Sequence, residues 1–372
     1  MKKFRNPIYV TRPFLPSLEE FQNGCKEIWH NQWLTNNGPI LQSFQKELAQ
    51  YLDVSEDNLV LFNNGTLALE LAYYAMGLAG GDVITTPFTF VATSHALKRI
   101  GATPIFADID PVTMCLDPAK CEKLITPRTK AIVPVHVYGH ACDVKGFARL
   151  GKKYGVKIIY DAAHAFGVNL DGMSIAHYGD MSMFSLHPTK LLHSCEGGLL
   201  VFKDKSLKLR LEELRNFAIK SETECVDIGT NAKMNELQAL MGRLCLRNCK
   251  KLLDWRRKVY EAYAKSFSGC KQVSFPNPRA CEPGLIPNHA YCPILFNCQE
   301  TCERVYLELK KHNVFARRYF YPLLTQFPPY IYARNTCAVA EDISSRILTL
   351  PTYYGLSLDK VQKIASIIKN LL

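Results

Sequence analysis

An α/β fold with a mostly parallel central sheet, followed by a smaller C-terminal α+β domain, is the architecture that this 372-residue chain predicts. Three observations carry that reading. Short apolar runs alternate with amphipathic stretches from about residue 59 to about residue 205. Those runs are apolar at nearly every position rather than at every second one, as in strands covered on both faces. Beyond residue 205 the alternation gives way to longer helical periods and then to a mixed segment. A chain of this length is natural for two domains, expected at 1–250 (N-terminal arm and large domain) and 251–372 (small domain).

The elements follow in order. Residues 1–40, with the turn-rich "WLTNNGP", read as an arm rather than an independent unit. "LVLF" is a strand followed by the helix of "NNGTLALELAYYAMGLA", and "DVITTP" is a strand followed by a helix near "TSHALKRIG". Then come "TPIFADI", "AIVPVHVYG", the helix "DVKGFARLGKKYG" and the strand "KIIYDAAH". "KDKSLKLRLEELR" and "RNCKKLLDWRRKVYEAYAK" have helical period with their charges on one face, and they carry much of the net charge of +11. A solvated helix face accounts for that charge, and so does a small anionic substrate such as a nucleotide diphosphate. No nucleic-acid-binding module and no interleaved basic and aromatic run stands out, so no nucleic-acid partner is expected.

Composition bounds the rest. With 48% hydrophobic and 21% charged residues the chain reads as globular and soluble. Its start has no continuous apolar run, and no stretch approaches the roughly 20 apolar residues of a membrane span. A cytoplasmic protein without a membrane partner is therefore expected. Fourteen cysteines lie scattered with no CxxC pair and no two-plus-two ligand spacing, so reduced thiols and no metal site are expected.

Polar residues gather where the predicted strands end: Asn63 to Thr66, Phe88 to Phe90, Asp161 to His164, and Ser185 to Lys190. Open α/β sheets bind ligands at those ends. Gly65 and Thr66 open a helix, where free amides and the positive dipole end suit a phosphate, although Asn and Thr also serve as ordinary caps. Asp161 follows the apolar "KIIY", and a buried carboxylate there needs a cation or donors. An arginine would serve, and so would a protonated heteroaromatic nitrogen. His164 by itself reads as a core histidine. Lys190 sits in "FSLHPTKLLHSCEGGLLVF" between two apolar runs; it is either a solvated turn lysine or a desolvated one suited to Schiff-base chemistry. A lysine, an aspartate and a glycine-led helix together are the set that pyridoxal 5′-phosphate requires, with Phe90 placed to cover the ring.

With these residues in place, the chain resembles the sugar aminotransferases of the DegT/StrS type, within the aspartate aminotransferase-like fold (fold type I of the pyridoxal phosphate enzymes). The resemblance runs over nearly the whole length and rests on "WLTNNGP", "NNGTLALELA", "TTPFTFVATSHALKRIGATPIFADIDP", "PVHVYG", "YDAAHAFG", "SLHPTK", "EGG", "GTNAKMNELQALMG" and "ARRYFYPL". It implies Lys190 as the Schiff-base lysine, Asp161 at the pyridine nitrogen, His164 by the ring hydroxyl and Phe90 on the ring. It also implies Gly65, Thr66 and Ser185 at the phosphate, with Asn231 reaching in from the other subunit of a homodimer that shares its active sites. Dehydratase relatives carry histidine in place of the lysine, so Lys190 favours transamination.

The resemblance further implies L-glutamate as amino donor and a dTDP-linked keto sugar as acceptor. "NAKMNE" and "ARRYFYPL" look most like members that aminate C4 of the 4-keto-6-deoxyglucose nucleotide for surface polysaccharides such as O-antigen. Thr35, His136, Tyr138, His193, Arg317 and Tyr321 are the candidates for substrate contacts. Amination at C3, another nucleotide-linked keto sugar, and a pyridoxal phosphate-binding regulator without turnover stay open as alternatives.

Overall fold

In the computed structural model of the chain, residues 3–277, 282–334 and 336–372 are described. The apolar runs form a seven-stranded sheet. In spatial order its strands are Leu59–Phe62, Gly198–Phe202, Met181–Ser185, Lys157–Asp161, Thr129–Val133, Asp82–Thr85 and Thr103–Phe106. Gly198–Phe202 runs antiparallel to both of its neighbours, and every other pairing is parallel. The four residues of Leu59–Phe62 and the five of Gly198–Phe202 are all buried, because helices cover the sheet on both faces.

The antiparallel strand joins two segments that are distant in sequence. Gly198 pairs with Phe62 on one side and with Ser185 on the other, so three chain segments pass through one rung of the sheet. A Cβ on Gly198 would come within 2.5 Å of the Asn64 carbonyl oxygen, and one on Gly197 within 2.1 Å of Ser194 Oγ. The two glycines thus allow the close backbone passage that "EGG" suggests. Met181–Ser185 is an interior strand, so the turn carrying Lys190 does not lie at a sheet edge.

A second core gathers the helices Cys249–Ser266, Gln299–Lys311 and Leu358–Lys369 around the antiparallel strands Val273–Ser274, Cys292–Phe296 and Ile347–Leu350. The first described part of the arm joins this core and not the large sheet. Phe4 and Ile8 are buried in it, and Ile8–Tyr9 pairs in parallel with Val314–Phe315. The arm therefore begins on the small unit, which its sequence does not reveal. Further along, the arm is tied to the large unit by Glu236. That buried carboxylate accepts from the amides of Ile40 and Leu41, both at 2.9 Å, at the start of the helix Pro39–Leu52.

Candidate active site

Four strand ends open into one cavity of about 1070 Å³. Its wall includes Gly65, Thr66, Phe90, Asp161, His164, Ser185, Lys190 and Arg317. The sequence expectations for these eight residues therefore converge on one place. That volume lies at the top of the usual range for small-molecule sites, with room for a cofactor and a second large molecule.

The helix Gly65–Ala75 starts directly after the strand Leu59–Phe62. Asn64 caps it by accepting from Leu67 N–H at 2.8 Å, which leaves the Gly65 and Thr66 amides as donors on the cavity wall. A Cβ on Gly65 would meet Met183 Sδ at 3.3 Å and Ser185 Cβ at 3.4 Å, so the helix start packs closely on Ser185. This end of the cavity is completed by Asn63, Lys233, Asn235 and Gln238.

Asp161 ends the strand Lys157–Asp161 and is buried. Its Oδ2 accepts from the Thr93 hydroxyl at 2.7 Å and its Oδ1 from Ala163 N–H at 3.1 Å. Thr89 Oγ1 lies 2.9 Å from Thr93 Oγ1 and extends the chain of hydroxyls. Burial raises the Asp161 pKa, and the Thr93 hydroxyl, the Ala163 amide and the Lys190 charge oppose that rise. Two neutral donors hold this carboxylate incompletely, so a cation on its cavity side would complete its environment.

His164 lies against the same space. Its Nδ1 accepts from Tyr138 N–H at 3.1 Å, which puts the proton of the neutral ring on Nε2. Burial and the nearby Lys190 charge hold its pKa well below the usual histidine value. Phe90 is 52% exposed, an apolar ring standing open in the cavity wall.

Lys190 follows Met181–Ser185 in a turn closed by Lys190 N–H donating to His187 O at 2.9 Å. The side chain is only half-buried by surface area, but its ammonium end is enclosed and burial brings its pKa down to about 8. Nζ lies 3.3 Å from the Tyr291 hydroxyl. Lys190 is thus the desolvated lysine and not the solvated one. Arg317 stacks over the Tyr319 ring at 4.2 Å on the same side of the cavity. Thr349 clamps the Arg317 backbone, accepting from its N–H at 3.1 Å and donating Oγ1–H to its carbonyl at 2.7 Å.

The other substrate candidates are not part of this wall. His136 is buried, accepts from Cys142 N–H at 3.1 Å and stacks on Tyr160 at 4.5 Å; burial holds its pKa down to about 3. Tyr138 is buried and its hydroxyl donates to the Tyr319 carbonyl. His193 is buried with Nε2 2.6 Å from Phe14 O. These three are core residues, which corrects the expectation that they meet substrate hydroxyls. Tyr321 faces the Arg318 guanidinium at 3.5 Å, outside the wall. Thr35 is exposed on the arm, and its carbonyl accepts from the Trp33 indole at 2.5 Å. Asn231 is exposed beside Asn63, whose Nδ2 donates to its carbonyl at 3.4 Å; it does not line its own chain's cavity.

Sequence reasoning missed Thr93, Tyr291, Lys233 and Gln238. Thr93 had a signal, since it stands one helical turn after Thr89 at a strand end. Tyr291 had none, being 101 residues from Lys190.

A family model for the DegT/DnrJ/EryC1/StrS aminotransferases matches residues 17–369. The chain belongs to this family. It is an aminotransferase, and its cofactor is pyridoxal 5′-phosphate. The donor set fits that group: free helix-start amides for the phosphate, an under-compensated carboxylate for the ring nitrogen, and an enclosed lysine for the carbonyl carbon. Among its relatives, a dTDP-4-amino-4,6-dideoxy-D-glucose transaminase of Shigella dysenteriae is 42% identical, over 98% of this chain and 99% of its own. One of the same name from Escherichia coli is 37% identical, over 97% and 98%. The crystal structure of DesI with its TDP-sugar product superposes with a TM-score of 0.92 at 32% identity, covering 100% of this chain and 94% of that one.

Among the described residues no helix is long and apolar enough to cross a membrane, and no cluster of metal-ligating side chains is found. The described cysteines are free.

Proposed function

We propose that the chain transfers the amino group of L-glutamate to C4 of dTDP-4-keto-6-deoxyglucose, giving dTDP-4-amino-4,6-dideoxyglucose. It does so as a cytoplasmic homodimer, supplying a surface polysaccharide or related glycan. The observation that carries the chemistry is the enclosed Lys190 in one cavity with Asp161 and the helix start at Gly65. The full-length likeness to two transaminases of this nucleotide sugar supports the substrate.

When bound, pyridoxal phosphate supplies a carbonyl carbon that joins to amines and a ring that accepts an electron pair. The Gly65 and Thr66 amides and Ser185 bind its phosphate, and Phe90 screens its ring from water. Asp161 holds a proton at the ring nitrogen, and His164 donates from Nε2. Lys190 Nζ would take the proton from the donor's α-carbon and hand a proton on as the general base and acid of the transfer, a role that typically contributes about 10²–10⁴-fold. Arg317 has no carboxylate partner among the described ion pairs and serves an anionic group of donor or acceptor. Asn231 completes the partner's site and not its own.

The test is incubation with glutamate and a panel of 3-keto and 4-keto sugar nucleotides, with the new C–N bond located by NMR. Dominant C4 amination of the dTDP-linked glucose-type sugar is the expected result. Dominant C3 amination would overturn the regiochemistry, and absence of turnover on every sugar would overturn the enzyme assignment in favour of a regulator.

A further inference from the structure

Behind Lys190 stands a side chain with no part in the transfer itself. Tyr291 is buried, and its hydroxyl is 3.3 Å from Lys190 Nζ. Its ring lies 4.6 Å from the His164 ring and 5.8 Å from that of Tyr319. One tyrosine thus touches two side chains of the cofactor wall and backs a third.

The tyrosine is itself held. It directly precedes the strand Cys292–Phe296 of the second core, so it comes from a different part of the chain than Lys190. Arg256, buried in the helix Cys249–Ser266, donates to Ala290 O at 2.6 Å and more distantly to Thr352 O at 3.4 Å. On the other side, the Asn288 amide donates to His164 O at 2.8 Å and to Phe166 O at 2.9 Å. Its Oδ1 accepts from Ala290 N–H at 2.9 Å. Residues 288–291 are therefore fastened both to the small unit and to the loop that carries His164.

We infer that Tyr291 is a positioning residue for Lys190: its hydroxyl accepts from Nζ and holds the free amine at the cavity wall. This rests on Lys190 being the cofactor lysine. A lysine has four rotatable side-chain bonds, and a base that moves protons between two nearby atoms gains from a fixed starting point. Burial pushes the Tyr291 pKa up to about 12, so the hydroxyl stays neutral and can accept from an ammonium group. The arrangement also makes the small unit a contributor to the reactive amine, through Arg256 and Ala290.

The test compares Tyr291→Phe with the native full chain, each loaded with pyridoxamine 5′-phosphate so that Lys190 is a free amine. Trace acetylation is run between about pH 6 and 10, and the Lys190 peptide is quantified by mass spectrometry. Burial should keep native Lys190 below the usual lysine value, and the quantity compared is the difference between the two midpoints. Losing the acceptor destabilises the ammonium form, so the midpoint in the variant should fall by about half a pH unit or more. The kcat should fall while the KM for the amino donor holds. A midpoint that coincides with the native one overturns the inference. Borohydride trapping of pyridoxal phosphate on the native chain, followed by peptide mapping, checks the premise separately: label on a lysine other than Lys190 would remove the premise itself.

Discussion

Thr93→Val isolates one atom of the site. The valine keeps the branched shape and removes the hydroxyl that donates to Asp161 Oδ2 at 2.7 Å. Asp161 is 4% exposed, so water cannot replace that donor, and the Ala163 amide at 3.1 Å is left to hold the carboxylate alone. A hydrogen bond to a charged group contributes about 1.5–3 kcal/mol. The cofactor's ring nitrogen requires the ionised carboxylate, and burial already favours the protonated one. Its affinity should therefore fall by about 10–150-fold, since each 1.4 kcal/mol is tenfold. Absorbance titration of the cofactor-free full chain with pyridoxal phosphate measures this directly. The variant should still melt within a few degrees of the native chain, since beyond Asp161 the substitution takes a partner from the Thr89 hydroxyl and, at 3.2 Å, from the Phe90 carbonyl. A Kd within about twofold of the native value would show that the Asp161 charge is not what the cofactor meets.

Three further outcomes are expected. Lys190→Ala should lose turnover by at least about 10²–10⁴-fold with an unchanged melting curve, and a native rate in steady-state assays would remove the lysine from the chemistry. Asp161→Asn should still bind cofactor, because the Thr93 contact can be kept, but should lose on the order of 10²-fold or more in kcat; native rates would leave Asp161 a structural carboxylate. Mixing Lys190→Ala with an inactive Asn231→Ala chain under conditions of subunit exchange should restore about a quarter of the native activity. Half of the dimers are then mixed, and each mixed dimer holds one intact site. No rescue despite demonstrated exchange would place the whole site within one chain.

The large sheet was legible because its interior strands are buried on both faces, which leaves short unbroken apolar runs set off by turn residues. The cavity wall was legible for a related reason: polar residues stand out where such a run stops. Asp161 after "KIIY" and Gly65 after "LVLF" are of this kind. His136 and His193 show the limit of that signal. Both are polar residues near strand ends, yet each satisfies a backbone partner inside the core, and a sequence does not say which way a ring turns. Tyr291 fails in the opposite sense. It sits next to the apolar strand Cys292–Phe296 and reads as more of the same core, because its meeting with Lys190 depends on how the small unit is docked. The start of the arm carries no local cue to its partner, since the two-residue pairing of Ile8–Tyr9 with Val314–Phe315 joins segments far apart in the sequence.

The rung shared by Phe62, Gly198 and Ser185 acts as a ruler. The helix cap at Asn64 lies two residues beyond it on one strand, and Lys190 lies five beyond it on another. The reach from the helix start at Gly65 to the Lys190 amine is therefore counted from a single pairing. Slipping that pairing by one residue would displace one group by about 3.3 Å and turn its neighbours to the opposite face of the sheet. Length changes should thus be tolerated only at the far ends of these strands, such as the exposed turn at Lys203–Lys205, where added residues leave the count untouched. A peptide tag inserted there should be silent, whereas a single residue added between Asn63 and Gly65 should abolish cofactor binding without unfolding the sheet.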